Sequence, residues 1–146
     1  MKRFLLFALV AALALAACAP KPQESAANVL KVSDGTTTKT YTTDALKTLG
    51  NTQAVFKGVT YIGVPLTALL KDAGIDPAKL TAVKAVAGDG FAANYDASLY
   101  ASEDTIVAYA TAGGALTADD GTFRMVLPNA EGKLNVRQLT EIVAIP

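Results

Sequence analysis

The sequence predicts an α+β domain: a mixed β-sheet with short helices. Three observations predict it. Short segments rich in β-branched and aromatic residues alternate with short stretches of helical period. Their spacing lacks the regular strand–helix–strand rhythm of a doubly wound sheet. Glycines and Asp-Gly pairs separate them, as turns and helix stops require. The 146 residues suffice for one domain around one core. With 51% apolar and 18% charged residues the composition is globular rather than disordered.

The first 17 residues are an address rather than part of that fold. Lys2 and Arg3 form a basic start, and Phe4 to Ala17 an uninterrupted apolar run. The run is shorter than the roughly 20 residues of a membrane-spanning helix and has the layout of a secretory signal peptide. Its end, Leu15-Ala16-Ala17-Cys18, resembles the lipobox of bacterial lipoproteins. The resemblance implies cleavage before Cys18, lipidation of Cys18 and attachment to a membrane through that lipid. Ala19, not Asp, follows the cysteine, which implies the outer membrane if the source is Gram-negative. The expected location is the cell envelope, facing the periplasm or the exterior. Residues 18–28 carry two prolines and no large apolar residue and read as a lipid-anchored tether. The domain is expected over 29–146.

Within it, Asp34-Gly35 marks a turn, followed by an extended segment around Tyr41. Thr43 or Asp44 caps a short helix through Leu49, closed by Gly50. Ala54–Ile62 reads as one strand, bent or bulged at Gly58. Pro65 opens a helix from Leu66 to Ala73, with Leu66, Leu69, Leu70 and Ala73 on one face and Gly74 as its stop. After a turn at Pro77–Leu80 come a strand at Ala82–Ala87, a Gly88-Asp89-Gly90 turn and a strand at Phe91–Tyr95. Residues 96–101 form a short helix or turn. Thr105–Ala110 and Phe123–Leu127 are strands, the second stopped by Pro128. Asn135 caps a last helical turn over Val136–Thr140, before a final strand at Glu141–Ile145.

Composition excludes several chemistries. The chain has no histidine, which removes Ser-His-Asp and Cys-His catalysis and His-ligated metal sites. Cys18 is the only cysteine, so no intramolecular disulfide forms. Thirteen basic residues balance thirteen acidic ones, which argues against nucleic acid as a partner. Cleavage before Cys18 leaves 11 basic and 13 acidic residues. There is no phosphate-loop glycine pattern and no Ser-x-x-Lys pair. Asp119-Asp120-Gly121 lacks the spacing of a calcium loop and reads as a solvated turn. Tyr61, Tyr95, Tyr100 and Tyr109 either line a pocket or sit half-buried in the sheet.

Several segments taken in order resemble one family. They are Thr60-Tyr61-Ile62-Gly63-Val64-Pro65-Leu66 with Leu69-Leu70, then Ala87-Gly88-Asp89-Gly90-Phe91, then Ile106-Val107-Ala108-Tyr109 with Gly114-Ala115-Leu116. Gly121-Thr122-Phe123-Arg124 through Pro128, and Val136-Arg137-Gln138-Leu139, complete the set. Together, over roughly residues 55–145, they resemble the oxidoreductase molybdopterin-binding domain of sulfite-oxidase fold. The resemblance implies a pterin-bound molybdenum held by one cysteine thiolate upstream of the Gly-Val-Pro-Leu helix. Here the corresponding region, about 50–60, holds no cysteine, and Thr122 stands where the family has proline. Arg124 matches the family's strand arginine, and Arg137 the lysine of its Val-Lys-x-Leu segment, a neighbourhood that meets the cofactor phosphate. Asp89 and Phe91 fall near the cofactor cleft by the same resemblance.

Cofactor- or anion-binding candidates are therefore Arg124, Arg137, Asp89 and Phe91. The alternative for the arginines is a surface role, paired with Asp119, Asp120 or Glu141. The main expectation is an envelope lipoprotein carrying a reduced molybdopterin-binding-type domain. That domain is expected to be non-catalytic by itself, to hold no cofactor, and to bind an envelope protein or a small anion. One alternative is an oxidoreductase that binds molybdopterin without a protein thiolate; another is a structural envelope lipoprotein.

Overall fold

The computed structural model describes residues 28–146. The signal segment, Cys18 and all of the tether but Asn28 lie outside the described residues. The first sheet runs β2-β1-β10-β5-β6, from β1 (Leu30–Ser33), β2 (Thr38–Tyr41), β5 (Ala82–Ala87), β6 (Ala92–Tyr95) and β10 (Leu139–Ile145). It is mixed: β1 and β10 are parallel, and the other pairs antiparallel. The second sheet is antiparallel. β3 (Thr52–Phe56) pairs β4 (Val59–Pro65), and β4 pairs β7 (Ile106–Thr111). The far edge of β7 is shared by β8 (Gly114–Ala115) and β9 (Arg124–Val126). The α+β class holds, with two sheets in place of one.

The helices are short: α1 (Thr43–Leu49), α2 (Leu66–Asp72) and α3 (Ala97–Tyr100). Thr42 caps α1 by accepting from the Ala45 amide, one residue before the expected cap. Asp96 caps α3 through the Ser98 and Leu99 amides. Leu66, Leu69 and Leu70 of α2 are fully buried. They pack with Leu30, Val32, Val83, Phe123 and Ile142 in one core that both sheets share. Alternation along β7 sends Val107 and Tyr109 into that core. Ile106 and Ala108 enter a smaller cluster on the opposite face, with Ala54, Tyr61 and Val126.

The Gly-Val-Pro-Leu segment has a plain physical account. Gly63 lies so close to β7 that an added Cβ would fall 2.2 Å from the Val107 carbonyl oxygen. Val64 is buried, Pro65 closes β4, and Leu66 starts α2 in the core.

Two expectations are corrected. Ala54–Ile62 is not one bent strand but a hairpin, β3 and β4. Lys57 (φ 49°) and Gly58 (φ 79°) both take left-handed backbone, as a two-residue type I′ turn demands. The second correction is at Val136–Thr140, which is not helical. Residues 136–139 instead lie along the 120–125 segment. The Met125 amide donates to the Val136 carbonyl, the Gln138 amide to Asp120 and the Leu139 amide to Phe123. Those bonds take backbone groups that a helix would use within itself, and the only helical turn nearby is a 3-10 turn at Gly132–Leu134.

Candidate functional site

The β3–β4 hairpin, the 117–121 turn and the 132–137 segment enclose a cavity of about 340 Å³ on the outer side of the smaller cluster. That volume is at the lower end of small-molecule clefts. Cross-strand pairing places Phe56 opposite Val59 and Ala54 opposite Tyr61, so all four side chains share one face. Phe56, Val59 and Tyr61 line the cavity. The hairpin tip adds Lys57, whose ammonium lies 5.5 Å from the Phe56 ring centroid. It also reaches the 3-10 turn: a Cβ added at Gly132 would sit 3.7 Å from the Lys57 Nζ.

Arg124 and Arg137 both line this cavity, but in different states. Arg124 is 5% exposed. Its Nη1 donates to Asp120 Oδ1 at 2.6 Å and to the Tyr61 hydroxyl oxygen at 2.9 Å. The guanidinium carbon lies 4.5 Å from the Tyr61 ring centroid and 5.9 Å from that of Phe56. Asp120 is buried too, and its second oxygen accepts from the Thr117 hydroxyl at 2.9 Å. Arg124 is thus a neutralised, caged cation. Of the two outcomes open to it, it takes pairing with Asp120, inside the protein rather than at its surface.

Arg137 is exposed and takes part in no ion pair among the described residues. The same is true of Lys57. Arg137 also borders two neighbouring hollows. One, of about 210 Å³, carries Asp89, Phe91 and Lys133; the other, of about 220 Å³, carries Asp89, Asp119 and Gln138. The four candidate residues therefore gather around Arg137. Asp89 accepts from the Phe91 amide at 2.9 Å, as a turn residue does. Phe91 is 48% exposed.

Asn135 does not open a helix over Val136–Thr140; it follows the 3-10 turn at Gly132–Leu134. It is buried and fully bonded: Oδ1 accepts from the Leu127 amide at 2.8 Å, and Nδ2 donates to the Leu127 and Glu131 carbonyls. No helix begins there, so no helix N-terminus faces the cavity at this point. Gly121 (φ 78°) brings the two loops together: a Cβ there would sit 2.8 Å from the Gln138 Cα. Phe56, Lys57 and Val59 line the cavity although the sequence reading singles out none of them. Lys57 belongs to no motif. Tyr61 is among the tyrosines expected either to line a pocket or to sit half-buried in the sheet, and it lines this one; the alternation of Ala54, Phe56, Val59 and Tyr61 across a two-residue turn was the available signal for the shared face.

The sequence profile of the oxidoreductase molybdopterin binding domain matches residues 15–146. No curated protein sequence gave a match. Among solved structures the chain is similar to the sulfane dehydrogenase SoxCD from Paracoccus pantotrophus, with a TM-score of 0.69 and 20% identity. The likeness covers 83% of this chain and 39% of that one, so this chain spans well under half the length of its neighbour. At that identity the likeness is one of fold. The profile covers nearly the whole chain, and on that ground the chain belongs to the oxidoreductase molybdopterin-binding domain family.

Proposed function

We propose that the protein is a bacterial envelope lipoprotein whose domain acts as a non-catalytic accessory module and binds a small anion at the Arg137 cavity. The observation that carries the anion reading is the pair of cations, Lys57 and Arg137, that line one cavity without a carboxylate partner among the described residues. Two donors of this kind are complementary to an oxyanion. The lipobox-like Leu15-Ala16-Ala17-Cys18 supports the envelope reading.

The family implies a molybdenum bound by a protein thiolate, and the donor set does not fit that role. Residues 28–146 contain neither cysteine nor histidine. No group of three or more Cys, His, Asp or Glu side chains among the described residues is arranged to hold a metal ion. Asp120, the carboxylate lining the cavity, is bonded to Arg124 and Thr117. A second reading keeps the cofactor. Family membership and the exposed Arg137 favour a molybdopterin held through its anionic end, without a protein ligand to the metal.

Elemental analysis for molybdenum, with a fluorescence assay for oxidised pterin, tests the choice. The sample is the full chain, exported folded from a host that makes the cofactor. Neither molybdenum nor pterin is expected on the folded protein, and stoichiometric amounts of both would overturn the accessory reading. Cys18→Ser is expected to release the protein from the membrane fraction. Continued pelleting of that variant would contradict lipidation.

A further inference from the structure

We propose that Tyr61 reads the ligand in this cavity. Its hydroxyl, held from behind by Arg124, donates a hydrogen bond to a carboxylate or phosphate group whose small apolar body lies against Phe56 and Val59. The inference rests on the anion-binding reading and deepens it by naming a specificity-determining residue and a ligand class.

A phenol has one proton to donate. Four of the five tyrosines give theirs to the protein. Tyr41 donates to Asp72, Tyr95 to the Leu134 carbonyl, Tyr100 to the Pro77 and Leu80 carbonyls and Tyr109 to the Gly50 carbonyl. Tyr61 is the exception: its oxygen accepts from Arg124, and its proton has no acceptor among the described residues. Yet Tyr61 is 5% exposed and lines the cavity. That leaves the proton for whatever fills the cavity, and a ligand oxygen can accept it.

Arg124 cannot turn away, because Asp120 and the two aromatic rings hold it. A cation bonded to the phenolic oxygen polarises the O–H and strengthens it as a donor. The other polar groups of the cavity sort the same way. Asp120 and Asn135 are engaged with the protein. Lys57 and Arg137 carry only donors. The groups left for a ligand therefore donate, and the fitting partner is one that accepts through several oxygens. Half-buried Phe56 and 40%-exposed Val59 supply an apolar wall that a bare ion would not use.

Calorimetric titration of the full chain with inorganic phosphate, phenyl phosphate and benzoate tests the proposal. Phenyl phosphate or benzoate is expected to bind more tightly than inorganic phosphate. Equal affinities would overturn the apolar wall. Tyr61→Phe is expected to keep the wild-type fold and to lose roughly 10-fold or more in affinity for the tightest probe. Unchanged affinity in Tyr61→Phe, with binding weakened in Arg137→Ala, would overturn the role of Tyr61 and leave the anion reading standing. Absence of binding by the wild type, or binding unchanged by Arg137→Ala, would overturn the anion reading itself.

A second readout uses protein labelled with ¹³C at tyrosine Cζ. The Tyr61 resonance is expected to move as the probe saturates. It is assigned by its loss in Tyr61→Phe or, if that variant folds poorly, by elimination with Phe at the other four tyrosines. A stationary Tyr61 resonance at saturation would overturn the proposal.

Discussion

The two ends of the cavity carry the same side chain in opposite circumstances. At the closed end Arg124 is buried, bonded to Asp120 and Tyr61, and covered by two aromatic rings. At the open end Arg137 is exposed and without an ion-pair partner among the described residues. The sequence resemblance alone put both forward as candidates for binding an anion. One charge is consumed in holding the fold, and the other remains for something outside it. A basic residue lining a cavity therefore does not by itself mark a ligand contact; its partners decide. The contrast also separates two kinds of experiment, because a substitution at one end should unfold the protein and at the other should not.

The largest effect is expected at the closed end. Arg124→Ala leaves the Asp120 carboxylate buried without its cation, and removing one member of a buried pair costs about 3–5 kcal/mol. Urea denaturation of Arg124→Ala and of Asp120→Ala should show losses of that order at unchanged slope. The double replacement Arg124→Met with Asp120→Leu should recover much of the loss, since apolar side chains of similar volume need no partner. If Arg124→Ala unfolds with wild-type stability, the closed end is not structural, and the contrast between the two arginines fails.

Asn135 stands between the ends. It lines the cavity, yet its side chain spends its bonds on the Leu127 amide and the Leu127 and Glu131 carbonyls. Asn135→Ala strands the buried Leu127 N–H, with an expected loss of about 1–3 kcal/mol. Thermal and urea unfolding check it. Because the charges at Lys57 and Arg137 are untouched, the folded fraction should still bind the oxyanion probe. Loss of binding in the folded variant would make Asn135 a ligand contact.

How much of this was visible beforehand depends on whether a signal was local. The strand at Ala82–Ala87 was readable in full, because its buried and half-exposed residues alternate. Helix α2 was readable because Leu66, Leu69 and Leu70 recur at helical spacing after Pro65 and before Gly74. The β3–β4 turn was not. Lys57 takes a left-handed conformation that a lysine does not advertise, and only Gly58 signalled it. The segment 136–139 was misread because its backbone bonds go to residues 120–125, a non-local choice that overrides helix propensity. The same limit hid the burial of Arg124, though not its pairing with Asp120, which the sequence offered as an alternative. Asp120 is four residues away, but no helix joins them. The turn at Thr117–Gly121 brings them together, with the Asp120 and Gly121 amides both bonded to the Thr117 carbonyl.

At the open end, substitutions should be nearly silent in stability. Arg137→Ala and Lys57→Ala are each expected within about 0.5 kcal/mol of wild type, as exposed positions without hydrogen-bond or ion-pair partners among the described residues usually are. Each should nonetheless weaken the oxyanion probe by roughly 10-fold, the scale of one charge-assisted hydrogen bond. Denaturation and calorimetry on the same samples give both numbers. A variant that loses stability and binding together would erase the distinction between the two ends.

The smallest effect is expected from pH across the neutral range. Three carboxyls have folded pKa values below the ordinary range. The Thr37 and Thr36 amides lower Asp34, the Lys39 ammonium and then the Tyr41 hydroxyl lower Asp72, and the Ser98 hydroxyl with the Leu99 and Ser98 amides lowers Asp96. A depressed carboxyl stabilises the fold above its unfolded pKa of about 4, and that contribution disappears as pH falls through the folded value. Two phenols are shifted the other way. Burial raises Tyr95, and burial with the Asp72 carboxylate raises Tyr41. Their contribution is complete below the unfolded pKa of about 10 and is lost as pH climbs toward the folded values. With no histidine in the chain, no side chain of ordinary pKa near 6.5 stands between those limits. The urea midpoint should therefore hold level from about pH 5 to 9, fall on the acid side below about pH 4, and fall again above about pH 10. A slope through pH 6–7 would require a titrating group with a strongly displaced pKa.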